Sequence, residues 1–195
     1  MKYSAAKKFI LEKLEKELSP ELTYHGFHHT IDVLEVAAEL CGHLDKSRKE
    51  TTLVKTAALF HDSGFTVSNV NHEETGCQIA RDNLPKYGYS EEDIEQICGM
   101  IMATKIPQTP KTPLEEILAD ADLDYLGRDD FKPIGDTLFN ELKTFNIIQT
   151  EEDWNRLQIR FLEGHGFFTS YNLKHRQPIK MDHLAELKKV VDAYS

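Results

Sequence analysis

With 195 residues, 40% apolar and 29% charged, the chain has the make-up of a folded globular protein, long enough to bury one core without disulfide support. Its formal net charge of -10, from 33 acidic and 23 basic residues, opposes binding to a nucleic-acid polymer or an anionic membrane surface. Cys41, Cys77 and Cys98 are odd in number and lack a CxxC spacing, which excludes a disulfide framework or a cysteine zinc site and suits a reducing, cytoplasmic setting.

Apolar residues recur at helical spacing through most of the sequence, and no segment alternates cleanly enough for a strand. The expected fold is all-α, a single-domain helical bundle over 1–195. In chain order the spacing predicts helices over 5–18, 28–42, 49–62, 73–84, 91–104, 114–125, 131–145, 151–163 and 182–194. The first carries Lys and Glu at every turn, unlike the unbroken apolar run of a signal peptide, and no segment is long and apolar enough for a membrane span. Ser90 with Asp93 forms a capping-box pattern, Thr150 precedes an acidic first turn, and Gly64 is placed as a left-handed cap. The three prolines of Lys105–Pro113 mark a loop. The stretch 163–180, with its basic group His175, Arg176 and Lys180, reads as a solvated surface turn ahead of a phosphate-binding flap. Likewise Phe167, Phe168 and Tyr171 fit a core better than a base-stacking platform.

The chemistry concentrates in three places. In AALFHDSGF, His61 and Asp62 each lie one turn after an alanine of the apolar stripe, so both point inward. Buried ionisable groups need a partner or a metal. In YHGFHHT, His29 is one turn before Val33 of the next inward face, whereas His25 and His28 belong to loop or capping positions. In ILADADLDYLG, Asp120, Asp122 and Asp124 interrupt a third apolar stripe, and adjacent carboxylates in a core call for a cation. Imidazole and carboxylate donors together suit Mn, Fe, Co, Ni or Zn and also accept Mg.

These blocks, with NHEETG at 71–76, resemble the H…HD…D signature of the HD superfamily of metal-dependent phosphohydrolases, over about residues 20–130. The resemblance implies a helical bundle holding one or two divalent metal ions, with His29, His61, Asp62 and Asp122 as ligands, Asp120 as the alternative to Asp122, and 131–195 as a helical extension. It implies phosphoester hydrolysis of a small phosphorylated metabolite, with nucleotides and cyclic nucleotides among the candidates. Asp62, Glu73 and Glu74 are the candidate proton acceptors, and His72, Lys105, Arg128, His165, Arg176 and Lys180 the candidate substrate contacts. Two-metal members supply further histidines between the HD pair and the last aspartate, an interval that here holds only His72, with Thr104 where another is expected. That scarcity weighs against a second metal and against the alternative of a di-iron oxygenase on the same fold. A non-catalytic ligand-binding module is the remaining alternative.

Overall fold

The computed structural model describes residues 1–194, all of whose regular elements are helical: α1 (Tyr3–Glu17), α2 (Phe27–His43), α3 (Arg48–Phe60), α4 (His72–Asn83), α5 (Glu91–Ala103), α6 (Pro113–Asp122), α7 (Phe131–Thr144), α8 (Glu151–Gly164), α9 (Ser170–His175) and α10 (Gln177–Asp192). They group into two compact units. The first comprises Met1–Pro20 and His25–Asp122; the second comprises Glu21–Tyr24 and the chain from Leu123 onward. No helix among the described residues is long and apolar enough to cross a membrane.

In the first unit α3 is the central rod. It starts at a capping box in which Ser47 accepts from the Glu50 amide and Glu50 accepts from the Ser47 amide. Leu53, Val54, Thr56 and every residue of Ala57–Phe60 are buried, so α3 is covered on nearly all sides, by α2, α5 and α6 among others. Burial of that kind holds a helix in place far more firmly than helix propensity does. α5 begins at the Ser90–Asp93 capping box that its sequence predicts. Between α4 and α5 the buried thiols of Cys77 and Cys98 each donate to the other's carbonyl, at 3.5 and 3.7 Å, and both are free cysteines.

Several local expectations are corrected. α3 ends at Phe60 rather than Asp62, and His61 is its cap residue. Gly64 is not a left-handed cap: it lies in a short 3-10 turn, Ser63–Thr66, and Gly88 is the positive-φ glycine among the described residues. What demands glycine at 64 is space, because a Cβ there would sit 1.9 Å from the His72 carbonyl oxygen. Gly76 has the same role within α4, where a Cβ would lie 2.9 Å from the Phe60 carbonyl oxygen and 3.2 Å from that of His61. These two glycines let the start of α4 press directly on the end of α3.

The second unit has its own core of Tyr24, Leu123, Tyr125, Leu126, Phe131, Leu162, Phe167 and Leu184. The segment 21–24 is tied to α7, with the Tyr24 amide donating to Glu141 at 2.7 Å and the Thr23 hydroxyl to the Thr137 carbonyl at 2.8 Å. The stretch 163–180 is not the solvated turn expected. Thr169 caps α9 by accepting from the Asn172 amide, Pro178 sits in the first turn of α10, and Asn172 and Lys180 are 0% and 1% exposed. Phe167 belongs to the core, as its spacing suggests.

Candidate metal centre

Three elements of the first unit carry the site. His29 sits in the first turn of α2, His61 and Asp62 follow the last residue of α3, and Asp122 is the last residue of α6. α2, α3 and α6 pack on one another, so the inward stripes that the apolar residues define bring their polar members to one point.

The separations are tight. His29 Nε2 lies 3.1 Å from Asp122 Oδ1, 3.5 Å from Asp62 Oδ2 and 3.4 Å from His61 Nε2. His61 Nε2 lies 3.2 Å from Asp62 Oδ2 and 3.4 Å from Asp122 Oδ1. Donors bound at about 2.1 Å to one ion, at tetrahedral or octahedral angles, stand roughly 3.0 to 3.4 Å apart. The ligand atoms of His29, His61 and Asp122 all lie within 4.8 Å of one another and fit a single divalent cation, with Asp62 Oδ2 close to both histidines. The fit has a second mark: Asp62 Oδ2 is buried and receives no hydrogen bond, although two imidazole nitrogens lie close to it. A buried carboxylate oxygen left in that condition is costly unless a cation meets it.

The remaining ring nitrogen of His61 is already engaged. Nδ1 donates to the Ala58 carbonyl at 2.8 Å, which fixes the tautomer and leaves the Nε2 lone pair for a metal. Electrostatics are those of a site built for positive charge. Burial alone would lower the His61 pKa, but the Asp62 charge and the close Asp122 carboxylate hold it well above the ordinary histidine value. Burial would likewise raise the two aspartates. His61 and its neighbours win, so that Asp62 falls well below the usual carboxylate range and Asp122, bonded to His29 and His61, falls to about 2. Asp122, not Asp120, faces the histidines; Asp120 is wholly buried outside the group.

Around this centre lies a smaller set. His72 Nε2 is 3.6 Å from Asp62 Oδ1 and 3.4 Å from Glu73 Oε1, so Asp62 presents one oxygen to the His29–His61 group and the other toward His72. The His72 ring stacks on Phe65 at 4.1 Å, and His25 stacks on the same Phe65 at 4.5 Å. Burial lowers the His72 pKa despite the nearby Asp62 and Glu73 charges. Glu74 points elsewhere, to an ion pair with Lys105 at 2.5 Å. Thr104 is buried with its hydroxyl donating to the Ile101 carbonyl. Neither Phe65 nor His25 stands out from sequence spacing, because their role depends on a turn whose path Gly64 sets.

The other expected substrate contacts lie in the second unit. Arg176 Nε donates to Asp124 Oδ1 at 2.8 Å, Asn172 donates to the same oxygen at 3.1 Å, and Arg128 is paired with Asp130 at 2.9 Å. A Cβ on Gly127 would lie 2.5 Å from the Arg176 carbonyl oxygen, so this glycine permits the approach. Lys180 donates to the carbonyl of His165, and burial pushes its ammonium below the usual lysine range. Burial also raises the Asp124 carboxyl, against the pull of Arg176.

Comparison with known proteins agrees with this geometry. The family model described as the HD domain matches residues 26–124, which span His29 through Asp122. No curated protein matches the chain. Among solved structures, the chain is similar to a crystal structure of a predicted HD superfamily hydrolase from an uncultured Thermotogales bacterium, at 20% identity and a TM-score of 0.64, covering 96% of this chain and 92% of that one. That likeness speaks for the fold alone. With the family model matching about half its length, the chain belongs to the HD domain family.

Proposed function

We propose that the protein is a metal-dependent phosphohydrolase of a small phosphorylated metabolite, with nucleotides and cyclic nucleotides among its candidate substrates. The observation that carries the reading is the convergence of the His29 and His61 imidazole nitrogens on Asp122 Oδ1 at 3.1 and 3.4 Å, with Asp62 Oδ2 within 3.5 Å of both imidazoles. His29, His61, Asp62 and Asp122 are the proposed ligands. A divalent cation in such a site acidifies water and polarises a phosphoryl oxygen, which is the chemistry that a phosphoester requires.

The chain's own residues supply the rest. Asp62 Oδ1, turned toward His72 and away from the His29–His61 group, accepts the proton of the attacking water. His72 and Glu73 stand beside it and orient that water, while Phe65 fixes the plane of the His72 ring. Glu74, engaged with Lys105, serves the outer rim. One ion is favoured over two, because the 63–121 interval offers His72 alone as a histidine, which also speaks against a di-iron oxygenase.

The test pairs elemental analysis with phosphoester hydrolysis. Protein purified without chelator should carry about one divalent ion per chain and should either release phosphate from a phosphomonoester or nucleotide or open a cyclic nucleotide to its monophosphate. His61→Ala and Asp62→Ala should lose both the ion and the turnover while remaining helical. A full complement of metal in both variants would sink the assignment.

A further inference from the structure

The first unit has a second concave feature. The N-terminal ends of α1 and α3 border a groove of 980 Å³, lined by Lys2, Arg48, Lys49 and Lys55 together with the hydroxyl residues Ser4, Thr51 and Thr52. No lining residue is acidic, although acidic residues outnumber basic ones across the chain by 33 to 23. Lys49 is paired with Asp93 at 2.9 Å. Lys2, Arg48 and Lys55 make no ion pair among the described residues.

The groove is also ordered. The Lys2 amide donates to the Tyr87 carbonyl at 2.7 Å, which anchors the start of α1. The half-buried Lys55 holds its ammonium 5.0 Å over the Tyr3 ring. α1 has no side-chain cap and no acidic residue in its first turn, so nothing local answers the positive end of its dipole. Three cations without an ion pair and a helix end thus face one cavity from two elements. That arrangement is complementary to a compact anion with more than one negative charge.

We infer that this groove is a second anion site, separate from the metal centre, which binds the diphosphate or triphosphate group of a small molecule through Lys2, Arg48 and Lys55. Along α3, Arg48 stands about 20 Å and Lys55 about 9 Å from His61 at 1.5 Å per residue. The assignment does not depend on the hydrolase reading.

Inorganic pyrophosphate is the probe, titrated by calorimetry and amide NMR into the full chain, both as wild type and as Asp62→Ala, which removes a proposed metal ligand. One-to-one binding to both, with shifts at Ser4, Thr51 and Thr52, is expected. Arg48→Glu/Lys55→Glu should weaken binding at least tenfold with metal content unchanged. Should the double variant fail to fold, Lys2→Glu at the exposed position just before α1 reads the same effect at about threefold or more. The proposal is overturned by unchanged affinity in the charge-reversed proteins, by binding that disappears in Asp62→Ala, or by no binding at millimolar pyrophosphate. Recovery of a bound single-stranded oligonucleotide without pyrophosphate binding would also overturn it. Loss of metal and turnover in Asp62→Ala tests the hydrolase reading, and pyrophosphate binding to that same variant tests this one.

Discussion

The aspartate run 120–124 is where spacing leaves the proposed ligand open and geometry favours one residue. Residues two apart on a helix point about 160° away from each other, and with three candidates spaced by two the apolar pattern alone cannot fix the register. Asp122 Oδ1 lies 3.1 Å from His29 and belongs to the group of candidate ligand atoms, whereas Asp120, also buried, does not. Asp122→Asn should therefore abolish stoichiometric metal by elemental analysis. Asp120→Asn should keep the ion and cost about 1 to 3 kcal/mol in denaturant unfolding, the typical cost of disturbing a buried polar group. The reverse pattern would exchange their roles. Gly76 illustrates what a single sequence hides: nothing in NHEETG reveals that a Cβ would sit 2.9 Å from the Phe60 carbonyl oxygen. Gly76→Ala should cost about 1 to 3 kcal/mol by overpacking, and it should also weaken metal affinity, because the displaced backbone carries His61. Calorimetric metal titration separates the two effects.

At the scale of elements, the helices read best where burial and capping agree. α3 and α5 are legible from their apolar stripes, and the HD pair is legible because both residues extend such a stripe. α9 is not, since six residues give no period, and Pro178, which suggests a break, instead occupies a first-turn position where its missing N–H costs nothing. The cap of α5 makes a pH prediction. Burial would raise Asp93, but Lys49 and the Ser90 amide and hydroxyl hold it below the usual aspartate value. A carboxylate lowered in the folded state adds stability that is complete above the unfolded pKa near 3.8 and disappears as pH falls through the folded value. Asp93→Asn should flatten the acid limb of the stability curve below about pH 4, and Ser90→Ala should cost about 1 kcal/mol at neutral pH. Urea melts across pH 2.5 to 7 read both; an acid limb of unchanged steepness would show that the cap does not titrate.

For the whole molecule, the all-α class follows from the absence of any alternating segment, while the grouping into two units, with 21–24 joining the later one, is a tertiary fact with no local signal in that short segment. All four proposed ligands belong to the first unit. Metal binding to the native state alone should add about 2.7 kcal/mol at a hundredfold excess over the dissociation constant. Hydrogen exchange should accordingly slow in α2, α3 and α6 when the ion is restored to chelated protein. Uniform protection in every helix of the chain, or none anywhere, would contradict a site confined to those three elements.

The order of the proposed ligands along the chain has a consequence for biosynthesis. His29, His61 and Asp62 emerge early, whereas Asp122 arrives 60 residues after Asp62, about 3 to 12 s later at ordinary elongation rates. His29 and Asp122 are 93 positions apart in sequence. A nascent chain therefore offers passing metals an incomplete donor set for some seconds, and the final carboxylate is added only as α6 closes on α2. Which ion is retained becomes a matter of timing as well as affinity, since a weakly held ion can still exchange before that closure. Slowing translation between residues 62 and 122, in cells supplied with two competing metals, should shift the composition of the purified protein, and refolding the finished chain in the same mixture should not reproduce that shift.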